Sequence, residues 1–170
     1  MASPNPSTTI LYDFIILEPS GKCLYYQDFS TAKKDATPGA LQSSASSEPG
    51  SEPSEVKDKE FTHRLQNIFG ITDALKSLVK QLSPTPIVTF RNLVTNKFKL
   101  SIFETPGGMR FILFTSVDDI DYLEFLRKIY REAFVDYVQK NPLYTAGNEI
   151  DCPLFIEKLR ELVSTKFAQL

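Results

Sequence analysis

Three aspartates, Asp118, Asp119 and Asp121, lie close enough along the chain to bind a metal ion through their carboxylates. A calcium loop of the EF-hand type would also need a glutamate at a fixed distance after them, and none follows at that spacing. The aspartate pair, with Ser116 to Asp119 resembling a capping box, instead predicts the start of a helix. We therefore expect these side chains to cap a helix, with no metal and no cofactor bound.

The other residues that could do chemistry also favour structural roles. His63 is the only histidine, and it falls on the polar side of a predicted helix with no orienting partner visible in the sequence. Gly107 and Gly108 could cradle a phosphate, but a hairpin turn explains them better. The sequence has no P-loop, no Rossmann glycine pattern and no nucleophile elbow. We therefore predict that the protein is not an enzyme and has no catalytic residue.

Composition and charge argue against nucleic-acid-binding, disulfide-rich and membrane-spanning proteins. Nineteen basic against 21 acidic residues give a net charge of -2, whereas a nucleic-acid-binding protein needs an excess of Lys and Arg on one face. Cys23 and Cys152 are too few for a disulfide framework, which favours reduced thiols. No stretch approaches the roughly 20 apolar residues of a membrane span, and no signal peptide is evident. We expect a cytosolic protein that does not bind nucleic acid.

One segment, from Ser30 to Glu60, differs from the rest of the chain. It has no aromatic residue, and its middle is rich in Ser, Pro and Glu, so it cannot bury enough apolar surface to offset the entropy lost on ordering. We predict a disordered insertion at about 30–60, a flexible N-terminus over 1–9 and a single folded domain over 10–170 that contains the insertion. Thirteen Phe and seven Tyr, with no Trp, predict a core filled largely by single-ring aromatic side chains.

The apolar pattern of the folded part predicts five strands and three helices. The predicted strands are 10–17, 22–29, 87–94, 98–102 and 109–114. The first and the last are apolar on both faces, which is typical of inner strands. Pro106 and Gly107 predict a type II turn, with a positive φ at the glycine. An outer strand as apolar as 87–94 would invite pairing with another chain unless it is covered.

Helices are predicted over about 61–82, from the aspartate pair to Lys140, and after Asp151. A hairpin, a crossover helix and a three-stranded meander then give an α+β domain. Its five-stranded antiparallel sheet would lie between one helix on one face and two helices on the other. The core stripe of the first helix is predicted to be Phe61, Leu65, Ile68, Thr72, Leu75, Val79 and Leu82.

Both long helices carry more apolar residues than one stripe needs. The first helix has Phe69, Ile71 and Leu78 off its stripe, and Gly70 in its interior costs about 1 kcal/mol relative to alanine. Such a glycine is tolerable where another backbone must approach closely. The second helix has a comparable surplus in Ile120, Tyr122, Phe125, Val135 and Val138. This surplus is either extra core or a protein interface, and the joint excess favours at least one stable protein contact.

The first helix therefore holds the candidate partner contacts. Phe69 and Leu78 are expected at the apolar centre of a subunit interface. Polar residues of the same helix are expected to contact a partner as well. The full candidate set is Phe69, Gly70, Asp73, Lys76, Ser77, Leu78 and Lys80.

Four stretches resemble the small longin-type subunits of the TRAPP vesicle-tethering complex. They are CLYYQDF at 23–29, SLVKQLSP at 77–84, TNKFKLSIFETPGGMRFIL at 95–113, and the run from LRKIY at 126–130 through KNPLY at 140–144 to CPLF at 152–155. Within the family, CLYY is most similar to the subunit 1 branch, which we favour. The LRKIY and KNPLY segments are almost as similar to the synbindin, or subunit 4, branch. Phe29, where many relatives carry Trp, and the long insertion depart from the family pattern.

The resemblance implies a longin-like (SNARE-like) fold, which agrees with the order of strands and helices. It also implies a non-catalytic core subunit that pairs with a second longin subunit and with the α/β-plait subunits of the complex. The assembled complex would act as a guanine-nucleotide exchange factor for a Rab GTPase in ER-to-Golgi and Golgi transport. Asp73, Lys76, Ser77 and Lys80 would then be candidates for Rab contact. The protein would be cytoplasmic, and peripheral on cis-Golgi or endoplasmic reticulum membranes through the complex.

Two other functions stay open at this point. The first is a longin domain of another trafficking class, either a SNARE regulatory domain or a small adaptor subunit. A SNARE regulatory domain would normally continue into a heptad-patterned segment. The second is a small-molecule-binding or enzymatic sandwich, which would need a polar-lined pocket that the sequence does not reveal.

Overall fold

The computed structural model of the chain describes residues 9–30, 53–85 and 89–168. It divides into two compact units, one formed by Met1–Ser30 with Phe90–Leu170 and the other by Thr31–Thr89. The middle of the predicted insertion and the start of the strand predicted at 87 lie outside the described residues. Thr9, which we expected to belong to the flexible N-terminus, is buried.

Five strands in the first unit form one antiparallel sheet with the order β2-β1-β5-β4-β3. The strands are β1 (Leu11–Leu17), β2 (Cys23–Asp28), β3 (Asn92–Val94), β4 (Lys99–Glu104) and β5 (Arg110–Thr115). The prediction that the first and last strands are inner neighbours is confirmed, since β1 and β5 pair with each other at the centre. The edge strand β3 has three residues, much shorter than predicted, so it offers little backbone for pairing with another chain.

Two hairpin turns use a glycine with a positive φ. Gly21 (φ 91°) lies between β1 and β2, and Gly108 (φ 82°) lies between β4 and β5. The Gly108 amide donates to the Thr105 carbonyl oxygen at 2.9 Å, which is the closing bond of a four-residue turn. The predicted positive φ at Gly107 is therefore wrong by one residue. The left-handed residue follows the turn, as in a type I turn with an adjoining bulge, instead of lying within it.

Three helical stretches complete the described fold. α1 (Pro53–Leu82) belongs to the second unit, and α2 (Leu123–Lys128) and α3 (Pro153–Phe167) belong to the first. α1 begins at Pro53, within the end of the predicted insertion. α2 continues directly as a π-helical segment over Ile129–Gln139. At its end the Lys140 amide donates to a carbonyl oxygen five residues earlier, at 3.1 Å.

The core of the first unit lies on one face of the sheet. Phe14 and Ile16 of β1 and Phe111 and Leu113 of β5 are buried there in one cluster with residues of α2, the π-helical segment and α3. Aromatic rings fill much of this cluster, as the composition predicts. The alternate residues of the inner strands, such as Ile15, are buried as well. A five-stranded antiparallel sheet with three helices is the predicted α+β architecture.

Most of the apolar surplus of the second helix belongs to this core. Tyr122, Phe125 and Val138 are buried within the cluster, and Ile120 packs against it. Val138 comes four residues after the buried Phe134 and lies on the same side of the helix, although it was predicted to lie beyond the main stripe. For these residues the explanation is extra core and not a partner interface.

Candidate functional site

The seven residues predicted to contact a partner lie on α1, but they do not share one face. Four of them, Phe69, Asp73, Lys76 and Lys80, form what we call the Phe69 strip. At about 100° per residue they fall within about 60° of the helix circumference. Asp73 and Lys80 are exposed, whereas Phe69 and Lys76 are half-buried. This strip is mainly polar, with one aromatic ring among charged side chains.

A second strip of α1 is apolar and exposed. Ile71, Leu78 and Leu82, which we call the Leu78 strip, fall within about 40° of the circumference and are 50%, 48% and 73% exposed. Leu78 is about 180° from Phe69, so the two candidates for the apolar centre of an interface lie on opposite sides of α1. Leu82 was predicted to be core. A seven-residue repeat drifts by about 20° per heptad around a straight helix, which carries Leu82 away from the buried side.

Gly70 and Ser77 lie together on the flank of the Phe69 strip, and both are exposed. A Cβ atom added at Gly70 would meet no atom within 4 Å in the described part of the chain. No described backbone approaches this glycine closely. A close approach of another backbone, the reason proposed for a glycine inside α1, is therefore not supplied by the described residues.

We expect Gly70→Ala to raise the free energy of unfolding by about 0.5–1 kcal/mol, because alanine loses less backbone entropy than glycine in a helix. Urea denaturation of the isolated chain measures this change. Ser77→Ala is the matched control, since it lies on the same flank and gains only the smaller difference in propensity. An unchanged or lower stability of Gly70→Ala would contradict the open surroundings of this residue.

A buried polar cluster of the first unit is absent from the sequence-based candidates. The Lys99 ammonium donates to the Asp118 carboxylate (Nζ to Oδ1, 3.0 Å), to the Asp118 carbonyl oxygen (3.1 Å) and to the Ile120 carbonyl oxygen. The hydroxyls of Thr9 (2.9 Å) and Tyr122 donate to the second carboxylate oxygen. Asp118 does not cap α2, so the predicted capping role is wrong for this residue. Asp121 of the same group does accept a hydrogen bond from the amide of Leu123, where α2 begins, at 3.0 Å.

The environment of this cluster moves two pKa values away from neutrality. Burial alone would raise the pKa of Asp118, but the hydrogen bonds from Tyr122, Lys99 and Thr9, with the charge of Lys99, hold it below its usual range. Burial, followed by the hydrogen bond to Asp118 and its charge, raises the pKa of Tyr122 well above its usual value. Tyr122 is also fully buried. The cluster therefore holds three segments together and is not suited to proton transfer with a ligand.

The remaining reactive side chains are poorly placed for chemistry. His63 is exposed on α1. Burial, with a smaller contribution from the charge of Glu149, raises the pKa of the Cys23 thiol, which lowers its thiolate fraction and its reactivity. Within the described ranges no group of three His, Cys, Asp or Glu could hold a metal ion. None of the helices described is long and apolar enough to cross a membrane.

Comparison with known proteins identifies the family. The model of the Sybindin-like family matches residues 11–166. Trafficking protein particle complex subunit 1 of Dictyostelium discoideum is 30% identical over 153 residues, which cover 88% of this chain and 92% of the relative. The Homo sapiens protein of the same name is 24% identical and covers 90% and 91%. Trafficking protein particle complex subunit 4 of Dictyostelium discoideum is 36% identical and covers 65% and 94%. The chain therefore belongs to the Sybindin-like family, and its sheet and three helices form a longin-like fold.

Proposed function

We propose that the protein is a non-catalytic core subunit of a TRAPP vesicle-tethering complex. The observation that carries this proposal is the match to relatives named trafficking protein particle complex subunit 1 along nearly their whole length. The position of subunit 1 is favoured over that of subunit 4, because the subunit 4 relative matches a smaller share of this chain. Residues 10–170 would act as one longin-like domain, with the segment at about 30–60 as a spacer.

The finer part of the proposal concerns nucleotide exchange. The assembled complex would promote GDP release from a Rab GTPase in ER-to-Golgi and Golgi transport, with this chain in the cytoplasm and peripheral to those membranes. Exchange of this kind is conformational: a composite surface favours the nucleotide-free state by holding the switch regions away from nucleotide and magnesium. It needs no acid, base or nucleophile, which is consistent with the buried Lys99 and Asp118 cluster being structural.

Helix α1 is the proposed contact with other subunits. The Leu78 strip exposes three large aliphatic side chains, and burying them against a partner would release apolar surface from water. The Phe69 strip offers an aromatic ring with charges of both signs around it, the composition of an interface rim. A second longin subunit and an α/β-plait subunit are the partners proposed for these strips, and the Rab is reached through the assembly.

Reconstitution tests the proposal. The chain is co-expressed with the other TRAPP subunits, purified through a tag on one of them, and assayed for release of fluorescent GDP from a Rab. We expect stoichiometric co-purification, and loss of exchange activity when this chain is omitted. A monodisperse monomer that binds no TRAPP subunit would overturn the proposal, and an assembled complex with unchanged exchange after omission would overturn its exchange part alone.

Substitutions in α1 test the interface. We expect Leu78→Asp and Phe69→Asp each to weaken association with a partner subunit by at least about 2 kcal/mol, roughly 30-fold in Kd. Leu78→Asp would bury a charge at an apolar contact, and Phe69→Asp would remove the aromatic anchor of its strip. Calorimetric titration gives the affinity, and urea denaturation gives the stability of the isolated chain, which should fall much less. Leu154→Asp is the matched control, because Leu154 is an exposed leucine (59%) on a different helix. Equal losses of affinity and stability would assign the residue to the core.

A further inference from the structure

A groove between α2 and α3 is a concave surface of the first unit. Its volume is about 260 Å³, and it opens to solvent. Its lining residues are Glu124, Phe125, Lys128, Leu162, Thr165 and Lys166. Phe125 and Leu162 are buried and give it an apolar floor, while charged residues form its rim. None of these side chains belongs to the candidate contacts on α1.

Aromatic packing holds Phe125, part of the floor of the groove, in place. The ring of Phe167, at the end of α3, stacks on the ring of Tyr122 with centroids 5.8 Å apart. It also meets the ring of Phe125 edge-on at 6.0 Å. Tyr122 is in turn held by its hydrogen bond to Asp118. The floor is therefore preformed, and little ordering entropy would be lost when it is occupied.

The rim carries a local excess of positive charge. The acidic rim residue, Glu124, is already paired with Arg127 at 2.6 Å. Lys128 reaches Glu132 only at 4.0 Å, which is the limit of an ion pair and is of little energetic value at the surface. Lys166 adds a second ammonium group from α3. Two lysines therefore line the opening from opposite helices, against one lining carboxylate, that of Glu124.

We propose that this groove binds an acidic segment of a partner protein that inserts one large apolar side chain between α2 and α3. The volume lies below the range of about 300–1,000 Å³ typical of small-molecule sites, so a single side chain is the better fit. The apolar floor receives that side chain, and Lys128 and Lys166 pair with carboxylates on either side of it. The groove does not depend on α1, so it can be tested whether or not α1 contacts TRAPP subunits.

The test uses the ¹⁵N-labelled full chain and three short peptides followed by NMR. The first probe has one phenylalanine flanked by two glutamates on each side, the second has alanine in place of phenylalanine, and the third has lysines in place of the glutamates. We expect the first peptide to shift amide signals of the groove residues, with a Kd in the millimolar range, and the other two to bind at least about fivefold more weakly.

Charge reversal supplies the matched variants. Lys128→Glu/Lys166→Glu should weaken the first peptide at least about fivefold. Lys97→Glu/Lys140→Glu should leave it unchanged. The control pair changes the net charge equally and, like the test pair, contains one lysine in an i,i+4 ion pair, since Lys140 pairs with Asp136. Thr165→Trp, which fills the groove from its rim, should also abolish binding of the first peptide. This variant keeps the test valid if charge reversal disturbs the fold.

Three results of the peptide titrations would overturn the proposal. They are absence of shifts with the first peptide, equal binding of the lysine peptide, and shifts located away from the groove. Binding to phosphatidylserine vesicles that is lost in Lys128→Glu/Lys166→Glu, without binding of the peptide, would identify a membrane surface instead and would also overturn it.

Discussion

Replacing Phe111 by alanine is expected to lower the free energy of unfolding by about 3–5 kcal/mol. Phe111 is fully buried in the inner strand β5. Its ring lies 5.5–6.4 Å from four other rings, those of Phe14, Phe103, Tyr130 and Phe134. Two of these contacts are edge-on, a geometry that adds about 0.5–1.5 kcal/mol beyond the burial of area. The cavity left by alanine would remove all four contacts at once.

Urea denaturation followed by circular dichroism measures this loss. Phe98→Ala is the control, because Phe98 is half-buried beside β4 and its ring meets one other ring, that of Phe114 at 5.7 Å. It should lose clearly less stability than Phe111→Ala. Phe111→Leu should fall between them, since it keeps most of the buried volume. A loss below about 1 kcal/mol for Phe111→Ala would contradict the central place of this ring.

The sheet could be predicted from the sequence because its two inner strands have an unambiguous pattern. The runs around Phe14 and Phe111 are apolar on both faces, and only a strand with neighbours on both sides suits such a run. Their direct pairing then follows from the hairpin and meander order. The composition also predicted the aromatic core, because 20 single-ring aromatics without Trp leave few other residues to fill the space.

The polar cluster could not be predicted, because local and distant partners compete for the same side chain. An aspartate just before a helical pattern predicts an N-cap, and Asp118 stands at such a position. Its actual partners are Lys99, 19 residues earlier, and Thr9, 109 residues earlier. A periodic pattern carries no information on contacts at such separations.

Periodicity also explains the mixed outcome for the apolar surplus. Val138 falls at the margin of the predicted stripe and was counted as surplus, but it lies one turn after Phe134 on the same face and is core. The opposite error occurred on α1, where a repeat of seven residues placed Leu82 in the core although it is exposed. Of the surplus residues, Ile71 and Leu78 in the Leu78 strip of α1 are the most exposed. This is why the interface proposal rests on that helix.

Replacing Asp118 by asparagine is expected to lower the free energy of unfolding by about 3 kcal/mol. The side chains of Lys99 and Asp118 are only 5% and 12% exposed, so the substitution leaves an ammonium group buried without its counter-charge. The value lies at the lower end of the range for broken buried pairs, because Lys99 keeps its bonds to two carbonyl oxygens. Asp119→Asn, the neighbouring exposed aspartate, is the control and should change stability by less than about 0.5 kcal/mol.

A double-mutant cycle and a pH series separate this pair from other effects. Lys99→Met removes the buried charge, so Asp118→Asn should cost at least about 1 kcal/mol less in that background. The pKa of Asp118 is lowered on folding from its usual value near 3.8, so its stabilisation is complete above that value and is lost as the pH falls through the folded pKa. The stability difference between wild type and Asp118→Asn should therefore be constant from pH 5 to 7 and shrink in acid. A difference that stays constant down to acid unfolding, or fully additive substitutions, would show that the two charges do not stabilise each other.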